Sequence, residues 1–174
     1  LYEAFVAPWD PARFGFSQRA ARESVLMSVH TDRHAPLTAD RIVSEPREWA
    51  VVDFATVESG RARGAVDTRI VRDGTAHALA LWFETEIAEG IGFSTGPAPT
   101  SMVYARMVLP LFEPLAVRAR DEAKISLSAL PSIADYVWTW DTELSRDGAR
   151  YGGFRQSSFF GEPHAASELR RTAD

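Results

Sequence analysis

At 174 residues, with 45% hydrophobic content, a net charge of −5 and no cysteine, the chain is one domain long enough to bury a core. The acidic balance argues against a nucleic-acid-binding face, and the missing cysteines exclude disulfides and thiolate metal sites. No apolar run is long enough to span a bilayer, and the start Leu1-Tyr2-Glu3-Ala4 has no basic head or cleavage site, so it reads as the middle of a longer chain.

In chain order, Leu1 to Pro8 is apolar and short, a strand or connector, and Trp9-Asp10-Pro11 breaks it. Ser17 is a good helix cap, and Ala21, Val25 and Val29 follow at helical spacing, which predicts a helix ending by His34-Ala35-Pro36. Leu37 to Arg47 connects, with short strand character at Arg41-Ile42-Val43. Trp49 to Val57 alternates, with Ala50, Val52 and Phe54 on one face, and predicts a strand. Gly64 to Arg72 is another, and Asp73-Gly74 is a hairpin signal that would pair it with the next run. That run, Ala76 to Ile87, places Leu79, Leu81 and Phe83 on one side as a long strand. Gly92-Phe93-Ser94-Thr95-Gly96-Pro97 then reverses the chain, because glycine admits positive φ and proline removes a donor. The chain returns from Tyr104 to Val117. Lys124–Leu130 and Asp135–Leu144 are further strands, with Tyr136, Trp138 and Trp140 on one face. A short strand at Tyr151–Phe154 precedes a tail in which Phe159-Phe160 tucks against the sheet, and Ser167 caps a possible helix. Short strands with Gly, Pro and Asp turns predict a mainly β, antiparallel, barrel-like domain with one helical insertion near the N-terminus.

The order Leu81-Trp82-Phe83…Gly92-Phe93-Ser94-Thr95-Gly96-Pro97…Glu113-Pro114-Leu115-Ala116-Val117 resembles the C-terminal β-barrel half of protein arginine methyltransferases. The similarity extends more thinly from about Trp9 to Leu144. It implies a single barrel domain over 1–174, with a dimerisation arm at 9–36, where Trp9, Phe14 and Phe16 make the contacts, and a C-terminal tail at 155–174. In that family an S-adenosylmethionine-binding domain with a glycine-rich loop precedes the barrel, and no such strand–loop–helix unit occurs in this sequence. The resemblance therefore implies a non-catalytic chain holding no cofactor of its own, which serves a cytoplasmic transferase as substrate-cleft and dimerisation domain. Its partners would be an upstream cofactor-binding domain, a second subunit and a protein or peptide substrate. The family's substrate-facing Thr-His-Trp triplet falls on Met102, Val103 and Tyr104, so only an aromatic wall at Tyr104 is kept. That departure puts arginine in doubt as the acceptor, since Met102 and Val103 offer no side-chain hydrogen bond.

Each candidate has a plainer alternative. For the arm helix it is an ordinary helix packed on its own sheet, and for Tyr104 a strand-edge aromatic covering the core. His30 and His34, four apart, suit two metal ligands on one helical face, but no third ligand stands at a recognisable spacing. Glu84 and Glu86 suit paired carboxylates or a solvated strand. Trp138 and Trp140 suit a ligand cavity or a core. For the chain as a whole, a stand-alone barrel binding a small ligand or peptide, or a purely structural oligomerisation domain, are the competing readings.

Overall fold

The computed structural model describes residues 2–9, 15–32, 37–97, 104–132 and 135–161. Among the described residues two short helices, α1 (Tyr2–Val6) and α2 (Arg19–Leu26), precede nine strands: β1 (His30–Thr31), β2 (Ala62–Arg69), β3 (Gly74–Leu81), β4 (Glu84–Ala88), β5 (Ile91–Ser94), β6 (Met107–Val117), β7 (Glu122–Pro131), β8 (Tyr136–Arg146) and β9 (Ala149–Ser157). They form a three-stranded sheet in the order β1-β6-β3, a four-stranded sheet β2-β7-β8-β9 and a ribbon β4-β5. Every pairing is antiparallel. The mainly β, antiparallel architecture is as the alternation predicts, and the barrel likeness is loose: among the described residues the sheets do not join into one closed ladder. No described helix is long and apolar enough to cross a membrane.

Two sheets without a shared ladder must be joined by side chains. Trp140 on β8 is fully buried against Leu109 of β6 and Leu127 of β7, with Leu79, Leu81, Ile125 and Trp138 around them. Its indole Nε1 donates to the carbonyl of Pro110 at 3.1 Å, crossing from one sheet to the other. A second cluster, Ile70, Val117, Ala123 and Leu144, closes the far end. Tyr2, Val6 and Leu26 form a third with Phe5 and Phe112, seating both helices beside β6.

Several local expectations give way to tertiary context. Residues 2–6 are helical because Tyr2 and Val6, four apart, are buried together. The helix begins at Arg19, its cap residue Gln18 makes no side-chain bond, and it stops at Leu26 instead of running toward His34. His30-Thr31 leaves it to pair with Val108 and Met107, and residues 33–36 lie outside the described residues. Residues 39–41 form a 3-10 turn, and only Ser44 bridges to Ile70. The alternation at Trp49–Val57 makes no strand. Asp53 takes the amide of Ala55 and the hydroxyl of Thr56 on its carboxylate, and the amides of Thr56 and Val57 on its carbonyl, a local turn that wins over an extended run.

The Asp73-Gly74 signal also misleads. Instead of pairing with each other, β2 pairs with β7 and β3 with β6. The backbone at the end of β2 is already committed: Ile70 N–H donates to Asp121 O, Arg120 N–H to Ile70 O and Val71 N–H to Val43 O. The turn therefore hands the chain from one sheet to the other. The long strand expected over 76–87 breaks after Leu81, and the reversal falls at Glu89-Gly90, where Gly90 has φ +71, with residues 91–94 forming β5. β9 is longer than expected, and Phe159 and Phe160 remain exposed rather than tucked in. The helix proposed around Ser167 lies outside the described residues.

Asp121, between β6 and β7, is the polar counterpart of the far cluster. Its buried carboxylate accepts from Arg146 Nε and Nη2, both at 2.7 Å, from the Tyr151 hydroxyl at 2.7 Å and from the Arg118 amide at 2.8 Å. The Arg146 bonds outweigh burial and hold this carboxyl well below its ordinary value near 3.8. Burial, then the bond to Asp121, pushes the Tyr151 phenol up to about 12 from 10.0. A depressed carboxyl contributes stability that is present above its unfolded value and lost as pH falls below it; a raised phenol contributes stability that is lost as pH climbs from about 10 to about 12. Asp121→Asn should lower the unfolding free energy at pH 7 by about 2–3 kcal/mol and flatten the acid limb of a urea-unfolding pH profile. An unchanged acid limb would sink this account.

Candidate interaction surfaces: an arm groove and an aromatic wall

The turn at Ala7–Trp9 and the start of α2 border a shallow, open, mostly apolar groove lined by Pro8, Trp9, Phe16, Gln18, Ala20 and Ala21. Trp9 is 36% and Phe16 64% exposed, so two large apolar side chains meet water at one place. Phe14, the third arm residue, lies outside the described residues. The groove rides on a fixed base. Ser24 Oγ donates to Gly161 O at 2.5 Å, and Gln156 Nε2 donates to Leu26 O at 2.7 Å. At Gly161 a Cβ would stand 2.5 Å from the Met27 carbonyl carbon, so only glycine permits this approach of the residues after β9 to the end of α2. At the other end, Phe5 of α1 stacks on His30 with ring centres 4.2 Å apart.

The second surface lies where β3, the ribbon and the entry to β6 meet. Phe83, Phe93 and Tyr104 pack together: Phe93 and Tyr104 stack at 6.0 Å, and Phe83 stands edge-on to them at 5.7 Å and 5.6 Å. All three are exposed, Tyr104 by 56%. Rings this close fill the space among themselves, so a cation would be met on their outer faces rather than inside a cage. Thr95 sets the arrangement. Its amide donates to Phe83 O at 2.9 Å, and its hydroxyl accepts from Phe83 N–H at 3.1 Å and lies 3.2 Å from Phe83 O. Exposed Glu84, Glu86 and Glu89 stand nearby, and no lysine or arginine occurs between Arg72 and Arg106.

Beneath the wall is a buried ion pair. Asp32 Oδ2 accepts from Arg106 Nη1 at 2.9 Å and from the Leu37 amide at 2.8 Å, and Oδ1 accepts from the Arg106 amide at 2.8 Å. Burial pushes the Asp32 carboxyl up, but these bonds together outweigh it and leave it below the ordinary range. Arg106 also donates Nε and Nη2 to Gly96 O, at 3.1 and 2.5 Å.

Of the residues singled out from sequence, Trp9 and Phe16 come together at the groove, and Tyr104 stands in the wall. Met102 and Val103 lie outside the described residues. Phe83 and Phe93 stand in the motifs that carry the family resemblance, but their packing against Tyr104 follows from the β4–β5 register, Phe93 opposite Thr85 across the turn at Gly90. Glu84 and Glu86 lie exposed on β4, where Glu84 accepts from the Ser94 hydroxyl at 3.3 Å and Glu86 from the Gly90 amide at 2.9 Å. Trp138 and Trp140 belong to the core. His30 Nε2 contacts Val25 O at 2.8 Å, His34 lies outside the described residues, and among the described residues no three His, Asp or Glu gather as a metal site.

The family model of the arginine methyltransferase oligomerization subdomain matches residues 2–145. No curated protein matches the sequence. Among solved structures, the Trypanosoma brucei PRMT1 enzyme–prozyme heterotetrameric complex with AdoHcy is similar at TM-score 0.67 and 15% identity, over 90% of this chain and 52% of that one. Arabidopsis thaliana protein arginine methyltransferase 10, solved in an open conformation, is similar at TM-score 0.66 and 12% identity, over 90% of this chain and 53% of that one. Identities this low speak for the fold, and the chain spans about half the length of these structures. With the family model covering most of its residues, the chain belongs to the arginine methyltransferase oligomerization subdomain family.

Proposed function

We propose that this chain is the dimerisation and acceptor-cleft domain of an S-adenosylmethionine-dependent methyltransferase, not catalytic by itself. The observation that carries the reading is the exposed groove around Trp9 and Phe16, in a chain of the oligomerization subdomain family. An apolar surface on a firmly seated helix suits burial against a second subunit, with Phe14 beside it in sequence. In this reading the cofactor is held by a separate upstream domain, and the domain layout is the single barrel with its arm at 9–36 and tail at 155–174. A cysteine-free chain of this kind suits the cytoplasm.

Methyl transfer is a positioning problem: the sulfonium carbon must lie in line with a desolvated nucleophile. The wall at Phe83, Phe93 and Tyr104 supplies a rigid, partly apolar surface for one side of that cleft. Its acidic neighbours Glu84, Glu86 and Glu89 suit a protein or peptide acceptor carrying positive charge. Met102 and Val103, in the positions of the family's Thr and His, have no side-chain hydrogen bond to offer an acceptor, so a guanidinium would be held by stacking on Tyr104.

Titration of the isolated chain with S-adenosylmethionine should give no heat of binding, and a measurable heat would contradict the assignment. In protein that carries a cofactor-binding half, Phe16→Ala should weaken self-association by about tenfold or more, read by sedimentation. Tyr104→Ala in the same protein should weaken binding of a basic acceptor peptide about fivefold, through loss of roughly 1 kcal/mol of stacking, with self-association unchanged.

A further inference from the structure

We propose that Arg106 is a positioning residue: with Asp32 it closes the neck from which the aromatic wall is displayed and ties that neck to the strand leaving the arm. The inference rests on the reading of the wall as the acceptor side of a cleft. Arg106 stands two residues after Tyr104, at the entry to β6. It turns back across the neck to Gly96, which follows Thr95, and Thr95 grips Phe83 by its backbone. Phe93 is two residues before Thr95. Tyr104 thus lies two residues from this arginine, while Phe83 and Phe93 connect to it through Thr95 and Gly96. Through Nη1 that guanidinium also reaches Asp32, whose own amide donates to Arg106 O at 3.1 Å. Asp32 directly follows β1, the pair of residues through which the chain leaves α2 and joins β6.

A structural ion pair alone is a weak explanation for this arrangement. Arg106 is 3% and Asp32 2% exposed, and buried pairs generally add little net stability over apolar residues of similar size. What the guanidinium adds is direction. Its planar donors address two sites at once, the Gly96 carbonyl with Nε and Nη2 and the Asp32 carboxylate with Nη1. A lysine ammonium, a single point charge on a flexible stem, cannot hold that geometry. Thr95 fixes Phe83 within the neck, and Arg106 joins that neck to Asp32 and the strand leaving α2.

Native-state hydrogen exchange on this chain tests the proposal without cofactor or acceptor, so its outcome is independent of whether the cleft reading survives. Arg106→Lys should reduce protection of the Thr95 and Asp32 amides by about tenfold or more while β8 amides such as Trp140 stay within about threefold, the signature of a local opening. Unchanged Thr95 protection overturns the proposal. So does an equal loss across β8, which would make the pair a source of global stability only. If Arg106→Lys does not fold, the wild-type chain decides: Thr95, Asp32 and Arg106 amides must open in one event with a common urea dependence, and separate openings overturn it.

Discussion

The molecule hangs on the bond that Trp140 makes across the gap between its sheets. Among the described residues neither sheet lends the other a backbone ladder, so the contact between their faces is made by side chains. The buried indole fills the gap with apolar area, and its one polar atom finds the carbonyl of Pro110. A dry indole N–H without that acceptor would cost about 1–3 kcal/mol, so the two strands are held at one height relative to each other. The Asp121 cluster at the far end and the helices beside β6 then follow from where those strands sit.

The strands of the β7–β8 meander were legible because each reads at period two between strong turns, and their inner faces need no knowledge of the rest of the chain. Trp49–Val57 has the same alternation but finds no partner edge, and Asp53 satisfies the backbone locally instead. Asp73-Gly74 shows the converse failure: a real turn whose flanking strands are claimed by other partners. For the surfaces, Tyr104 was reachable through family resemblance. The clamp beneath it was not, since Asp32 and Arg106 lie 74 positions apart and neither has a local pattern. Helix α2 ends early for a related reason. The pairing of His30-Thr31 with β6 captures residues that spacing alone assigns to the helix.

The exposed apolar surface is unevenly distributed. It gathers at the arm groove, along the wall and ribbon, and over Val51, Val52, Phe54 and Val57, while charged residues mark the outward faces of β2 and β7, with Arg63, Asp67 and Arg69 opposite Ser128, Lys124 and Glu122. In the reading proposed above, the first of these regions is the dimerisation surface. The second, with its acidic surround, gives the domain a face of different chemistry. One compact fold thus presents two unlike surfaces, and the buried Asp32–Arg106 pair runs from the strand after the arm to the base of the wall.

The ribbon carries a cost of its own. Within the described residues its two strands pair only with each other, so both margins present unpaired backbone groups, and Ile87 and Ile91 add greasy side chains. Such a hairpin invites stacking of one molecule upon the next into continuous sheet. Glu84, Glu86 and Glu89 act as gatekeepers by mutual repulsion, and exchanging them for threonine or valine would remove that repulsion and make the protein prone to fibrillar self-assembly.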